Sequence, residues 1–188
     1  IRLGLTTLVG FITEGKMPSP ALLVIDVQKG FLNDWTAHIP ASIEALQDRF
    51  ETVFVTRFNN PEASNFRKLM GWRRFAPGSE DTELAFTPKK GAIVIDKPAY
   101  GCVTPAFLER LRAGGIGTVY LSGIATDSCV LKCAVDLFEA GPTPIVLADY
   151  CASHGGPECH ECGILLLKRF IGERQVVTGS GPRDLERP

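Results

Sequence analysis

The sequence predicts a single-domain α/β protein, a three-layer α/β/α Rossmann-like fold around a central, mostly parallel six-stranded sheet. Strand-like runs alternate with helical patterns along the chain, which argues for right-handed crossovers and a parallel sheet with helices on both sides. Most of the runs are near-continuous Val, Ile and Leu, as strands covered on both faces should be. The length of 188 residues suits one domain with a sizeable core.

The first strand is expected at 21–27, "ALLVIDV", where six of seven residues are apolar and the aspartate falls near the end. A helical pattern over 40–50 leads to a second strand at 52–58, "TVFVTRF". The connection from Asn59 to Lys90 is too long for a plain loop in a compact domain, so it is expected to wall a pocket. A third strand at 91–97, "GAIVIDK", is followed by a helix over 104–113 and a fourth strand at 117–123, "GTVYLSG". The helical pattern over 127–140 stops at Gly141, and a fifth strand follows at 143–149. A helix over 158–171 and the weakest strand, 174–179, complete the set.

With 45% hydrophobic residues, 22% charged residues and a net charge of -1, the chain carries no field that would recruit nucleic acid or an acidic membrane. No apolar run approaches the length of a bilayer span. The six cysteines are read as reduced thiols, because regular α/β alternation at this size needs no staples, and the protein is read as cytoplasmic. Residues 1–16 loosely imitate a signal peptide but lack a small-residue cleavage site. They are read as an N-terminal extension of unassigned function ahead of a domain over 17–188.

Three strands each end on a residue able to do chemistry: Asp26, Lys97 and, just past the fourth strand, Cys129. Parallel strands bring their carboxyl ends to one edge, where ligands bind in such folds. A cysteine attacks as its thiolate, so it needs a base or a neighbouring cation. Asp26 is suited to the first role and Lys97 to the second, and each supports the other's charge when buried. Thr126 or Asp127 is expected to cap the helix that carries Cys129.

The blocks "LLVIDVQKGF", "DKPAYG" and "LSGIATDSCV" resemble, in this order, the signature blocks of the isochorismatase-like cysteine hydrolases, a family that includes nicotinamidases, N-carbamoylsarcosine amidases and ureidoacrylate amidases. The resemblance runs from about Pro20 to Gly179. It implies an Asp26–Lys97–Cys129 triad, with Asp26 as general base, Lys97 as the cation beside the thiolate and Cys129 as nucleophile. It implies a thioester intermediate on a small amide-like C–N bond, and backbone N–H groups of Ala125 and Cys129 as the oxyanion hole. It also implies a cis peptide between Ile124 and Ala125, and a homodimer or homotetramer to which the segment around Met70 and Trp72 could contribute.

The sequence departs from metal-containing nicotinamidases, because "TRFNNPEASNF" holds no histidine where those carry a metal site of the D-x-H type. No metal or other cofactor is expected. The "CHEC" run, 159–162, with His154 as a conceivable fourth ligand, has a single cysteine pair and is read as helix, its cysteines packed as small apolar residues. Cys102 stands near Lys97 in sequence and is read as a buried loop cysteine. Substrate contacts are expected from Phe31, Trp72 and Tyr100, with Arg57 and Asn59 at the end of the second strand. Core packing is the alternative for Phe31 and Trp72, and pairing with Glu62 or Glu80 the alternative for Arg57. Two other readings of function stand beside the amidase: an isochorismatase-type vinyl ether hydrolase, and a catalytically silent binding or oligomeric member.

Overall fold

A computed structural model describes residues 19–179, so the readings of residues 1–16 and of a domain start at Met17 lie outside the described residues. The strands are β1 (Ala21–Ile25), β2 (Thr52–Phe58), β3 (Ile93–Lys97), β4 (Thr118–Ile124), β5 (Thr143–Ala152) and β6 (Val176–Val177). They form one sheet in the order β3-β2-β1-β4-β5-β6, and every neighbouring pair is parallel. The helices are α1 (Ile39–Gln47), α2 (Asn65–Met70), α3 (Pro105–Ala113), α4 (Leu131–Ala140) and α5 (Pro157–Ile171).

Alternation along each strand divides the interior into two cores. Ala21, Leu23 and Ile25 of β1 face a cluster that includes Leu111 of α3, Leu137 of α4 and Leu167 of α5. Leu22 and Val24 face the opposite side, where Ile39, Ile43 and Leu46 of α1 join Phe75 and Phe86 of the long connection. All five residues of β1 are fully buried, which is why the run contains no polar residue before Asp26. Burying each Leu or Ile contributes roughly 1.5–3 kcal/mol, so β1 anchors both layers.

Helix ends follow local rules. Thr104 caps α3 by accepting a hydrogen bond from the Phe107 N–H, and Pro105 opens the first turn. Ser64 caps α2 in the same way through the Arg67 N–H. The connection between β2 and β3 therefore holds a helix and, at Glu80–Thr82, a 3-10 turn.

Several boundaries differ from the sequence pattern. β6 spans two residues, because Glu173–Gln175 form a 3-10 turn and only Val176 and Val177 reach the β5 ladder. β5 continues to Ala152, past a register shift opposite Leu121 and Gly123. The helix expected over 127–140 is two structures: a π-helical turn over Thr126–Val130 and then α4.

The strand order reverses direction between β1 and β4, which opens a crevice at their carboxyl ends. There Ile25 is paired with Gly123. A Cβ on Gly123 would lie 2.1 Å from the Ile25 carbonyl oxygen, and its φ of +120° disfavours any side chain. Gly123 thus allows β4 to approach β1 closely just before the turn that carries Cys129. Gly123→Ala is expected to destabilise the fold by on the order of 2–4 kcal/mol, read as a lowered urea midpoint at unchanged m-value.

Candidate active site

Asp26 follows β1 with φ of +49°, an uncommon conformation that aspartate tolerates better than most residues. Its carboxylate is fully buried. Thr56 of β2 donates its hydroxyl to Oδ1 at 2.6 Å and accepts the Asp26 N–H at 3.1 Å. The Lys97 ammonium lies 2.6 Å from Oδ2. Oδ2 has no donor at hydrogen-bond geometry, so this ion pair is its compensation.

Lys97 ends β3 and is 3% exposed. Its Nζ donates to the carbonyls of Ala99 at 2.9 Å and Tyr100 at 3.0 Å, and lies 3.6 Å from Cys129 Sγ. The "PAYG" stretch after the lysine curls its carbonyls back onto the ammonium. Nζ also sits 5.4 Å from the centre of the Phe58 ring. Burial alone would discharge Lys97, but the neighbouring charges, Asp26 first, outweigh it and its pKa is raised.

Cys129 lies in the π turn, which closes where the Val130 N–H reaches the Ala125 carbonyl at 3.1 Å. The Ile124–Ala125 peptide that precedes the turn is cis. Burial, and then the neighbouring Asp26 charge, push the Cys129 thiol well above its ordinary value, and Lys97 pulls the other way without prevailing. The resting group is therefore a thiol facing a carboxylate. Lys97 does not offset that burial by itself, which leaves the sulfur in need of a base for its proton.

Above Cys129 opens a cavity of about 400 Å³. Asp127, Ser128, Cys129 and His154 form its polar side. Phe31, Phe58, Phe66, Trp72 and Tyr100, with Met70, form the rest. The rings hold one another: Phe58 stacks on Trp72 at 5.6 Å, and Phe66 meets Tyr100 edge-on at 5.0 Å. Phe31 both packs in the core and faces the cavity, with His154 5.0 Å away.

Of the ten positions expected at the site, eight border this region: Asp26, Lys97 and Cys129 at its floor, Ile124 and Ala125 beneath, and Phe31, Trp72 and Tyr100 on the walls. Arg57 and Asn59 do not line it. Arg57 is bound through Nε and Nη2 to the two oxygens of Asp96, its cross-strand neighbour, and Asn59 donates to Asp96 as well. The partner is thus neither Glu62, which pairs with Arg67, nor Glu80, which lies 3.6 Å from Lys29. Neither Thr126 nor Asp127 caps the turn: Thr126 Oγ1 is 2.8 Å from His160 Nδ1 on α5, and Asp127 Oδ1 is buried without a partner.

Cys102 is buried, its sulfur 3.7 Å from that of Cys133. In the "CHEC" run, now in α5, Cys162 is exposed and Cys159 half-buried, so they do not pack as core residues. Among the described residues no group of three or more His, Cys, Asp or Glu is arranged to hold a metal ion. Nor does any described helix have the length and apolarity to cross a membrane.

Two buried amides escaped the sequence reading. Gln28 donates to the Phe58 and Thr82 carbonyls and accepts the Phe58 N–H at 2.7 Å. Asn60 donates to the carbonyls of Trp72 and Arg74, both at 2.9 Å. Together they staple the long connection to the strand ends and hold Trp72 over the cavity. The "NN" and "VQK" runs signalled only polarity at strand ends. His154, met in sequence as a conceivable metal ligand, is a cavity wall residue.

The carboxyl edge of this parallel α/β sheet thus carries a buried carboxylate–ammonium pair with a thiol beside it. The isochorismatase domain matches residues 20–175, and the chain belongs to that family. A ureidoacrylate amidohydrolase from Methylorubrum extorquens is 35% identical over 117 residues, 61% of this chain and 47% of that protein. The nicotinamidase of Acinetobacter baylyi is 28% identical over 171 residues, 70% of this chain and 80% of that protein. The chain spans about half the length of the curated ureidoacrylate amidohydrolases it matches. Among solved structures, the Bacillus subtilis nicotinamidase superposes with a TM-score of 0.72 at 23% identity, covering 85% of this chain and 99% of that one. The Thermoplasma acidophilum N-carbamoylsarcosine amidase gives 0.68 at 24%, covering 85% and 95%. These superpositions establish the fold.

Buried thiols carry a stability signature. Burial pushes Cys151 from 9.0 up to about 12, and Cys129 shifts in the same direction. Below the ordinary thiol value both folded and unfolded chains keep these protons. Above it the unfolded chain loses them first, so stability falls as pH rises through the window between 9.0 and about 12. Each such thiol adds a slope of about 1.4 kcal/mol per pH unit there. Urea unfolding across this window is expected to show the fall, and Cys151→Ala to make it shallower by one proton's share.

Proposed function

We propose that the protein is a cysteine hydrolase that cleaves a small amide-like C–N bond. The observation that carries this reading is the position of the Lys97 ammonium, 2.6 Å from Asp26 Oδ2 and 3.6 Å from Cys129 Sγ, under a cavity large enough for a small molecule. The names of its relatives, a ureidoacrylate amidohydrolase, a nicotinamidase and a maleamate amidohydrolase, support the class of bond.

Sγ attacks the amide carbon as its proton passes to Asp26, the carboxylate that Lys97 holds at the floor of the cavity. The carbonyl π pair moves onto oxygen, where the Ala125 and Cys129 N–H groups would receive the charge. Collapse restores the C=O, breaks the C–N bond and returns the proton from Asp26 to the departing nitrogen as ammonia or an amine. Water then adds to the thioester, with Asp26 again taking the proton, and releases the acid and the thiol. Lys97, held in place by the Ala99 and Tyr100 carbonyls, stays beside both Asp26 and the sulfur throughout. A neutral resting thiol suits this concerted sequence better than the vinyl ether reading, which leaves Cys129 without a task.

Ammonia release from a panel of small primary amides and ureido compounds tests the proposal. Cys129→Ala is expected to lower turnover by roughly a thousandfold or more, with Cys162→Ala unaffected. Retained turnover in Cys129→Ala would exclude the covalent route.

A further inference from the structure

The charge pattern of the cavity wall goes further than the reaction class. Five aromatic rings and Met70 supply most of the lining, and no Lys or Arg is among the lining residues. The acidic residue on the wall is Asp127, whose Oδ1 is buried without a hydrogen-bond partner. Its surroundings do not neutralise it. Lys97 is matched beneath the floor by Asp26. Arg57 is matched by Asp96, and Arg74 by Asp81 at 2.7 Å. His154, also on the wall, has its pKa lowered, first by burial and against the pull of Asp127.

Aromatic faces carry partial negative charge and attract cations, most strongly where water is excluded. A carboxylate on a ligand would meet those faces and Asp127 with no cation to receive it, and would lose its hydration without replacement. An ammonium would find both ring faces and a carboxylate oxygen without a hydrogen-bond partner. We propose that this cavity selects cationic or uncharged amides with an aromatic or apolar body and rejects those bearing a carboxylate, with Asp127 setting the preference. The inference rests on the hydrolase reading for its choice of amides, while the charge selection is a property of binding alone.

Three matched ligands separate the two claims: 4-(aminomethyl)benzamide, 4-methylbenzamide and 4-carbamoylbenzoate. Binding is measured by calorimetry on Cys129→Ala, and ammonia release on the unsubstituted protein. The ammonium and methyl compounds are expected to bind at least about tenfold more tightly than the carboxylate. Asp127→Asn is expected to remove the advantage of the ammonium over the methyl compound. Equal or tighter binding of the carboxylate, or no binding of any of the three, overturns the proposal. So does an ammonium advantage that persists in a folded Asp127→Asn. If that variant does not fold, the ranking on Cys129→Ala decides. The expected ranking without ammonia release would instead overturn the hydrolase reading and leave charge selection standing.

Discussion

A single buried ion pair organises this molecule. Asp26 and Lys97 are drawn from different strands, β1 and β3, and neither has access to bulk water. Each compensates the other's burial, and removing one partner would leave a lone buried charge at a cost of about 3–5 kcal/mol. The pair spans β2, which lies between the two strands and contributes the Thr56 hydroxyl. The sheet order therefore fixes the pair, and the pair fixes where a proton can go.

Everything around the pair keeps it dry and aimed. Gly123 allows β4 to close against β1, so that the turn after β4 brings Cys129 to Lys97. On the other side of that turn, Gly163 of α5 packs so closely that a Cβ would come within 2.7 Å of the Asp127 nitrogen. The π turn is clamped between sheet and helix, with Thr126 against His160 of α5 and Asp127, Ser128 and Cys129 along the cavity. Gln28 and Asn60 bind the long connection through its carbonyls, and the aromatic lid follows from that attachment.

Much of this was legible in the sequence, and the parts that were not have physical reasons. The strands declare themselves because residues buried on two faces must be apolar, and Asp26 and Lys97 stand out because charge at the end of such a run demands a partner. The π turn was invisible: "TDSCV" has the composition of an ordinary helix start, and only packing against α5 decides its hydrogen bonding. Arg57 misled because a strand-end arginine looks available until the cross-strand register shows Asp96 beside it. The cavity wall was half legible. Phe31, Trp72 and Tyr100 could be singled out, but Phe58 at the end of β2, Phe66 on α2 and His154 after β5 meet there only through the tertiary fold.

The central claim is that Asp26, and not a standing thiolate, activates Cys129. It is tested most directly by the pH dependence of Cys129 alkylation with chloroacetamide, followed by peptide mass spectrometry in the unsubstituted protein and in Asp26→Asn, with exposed Cys162 as internal reference. The account predicts a Cys129 rate that is nearly flat across neutral pH and collapses in Asp26→Asn, while the Cys162 rate climbs about tenfold per pH unit below its pKa. A Cys129 rate that climbs in parallel with that of Cys162 and is unchanged in Asp26→Asn would contradict it.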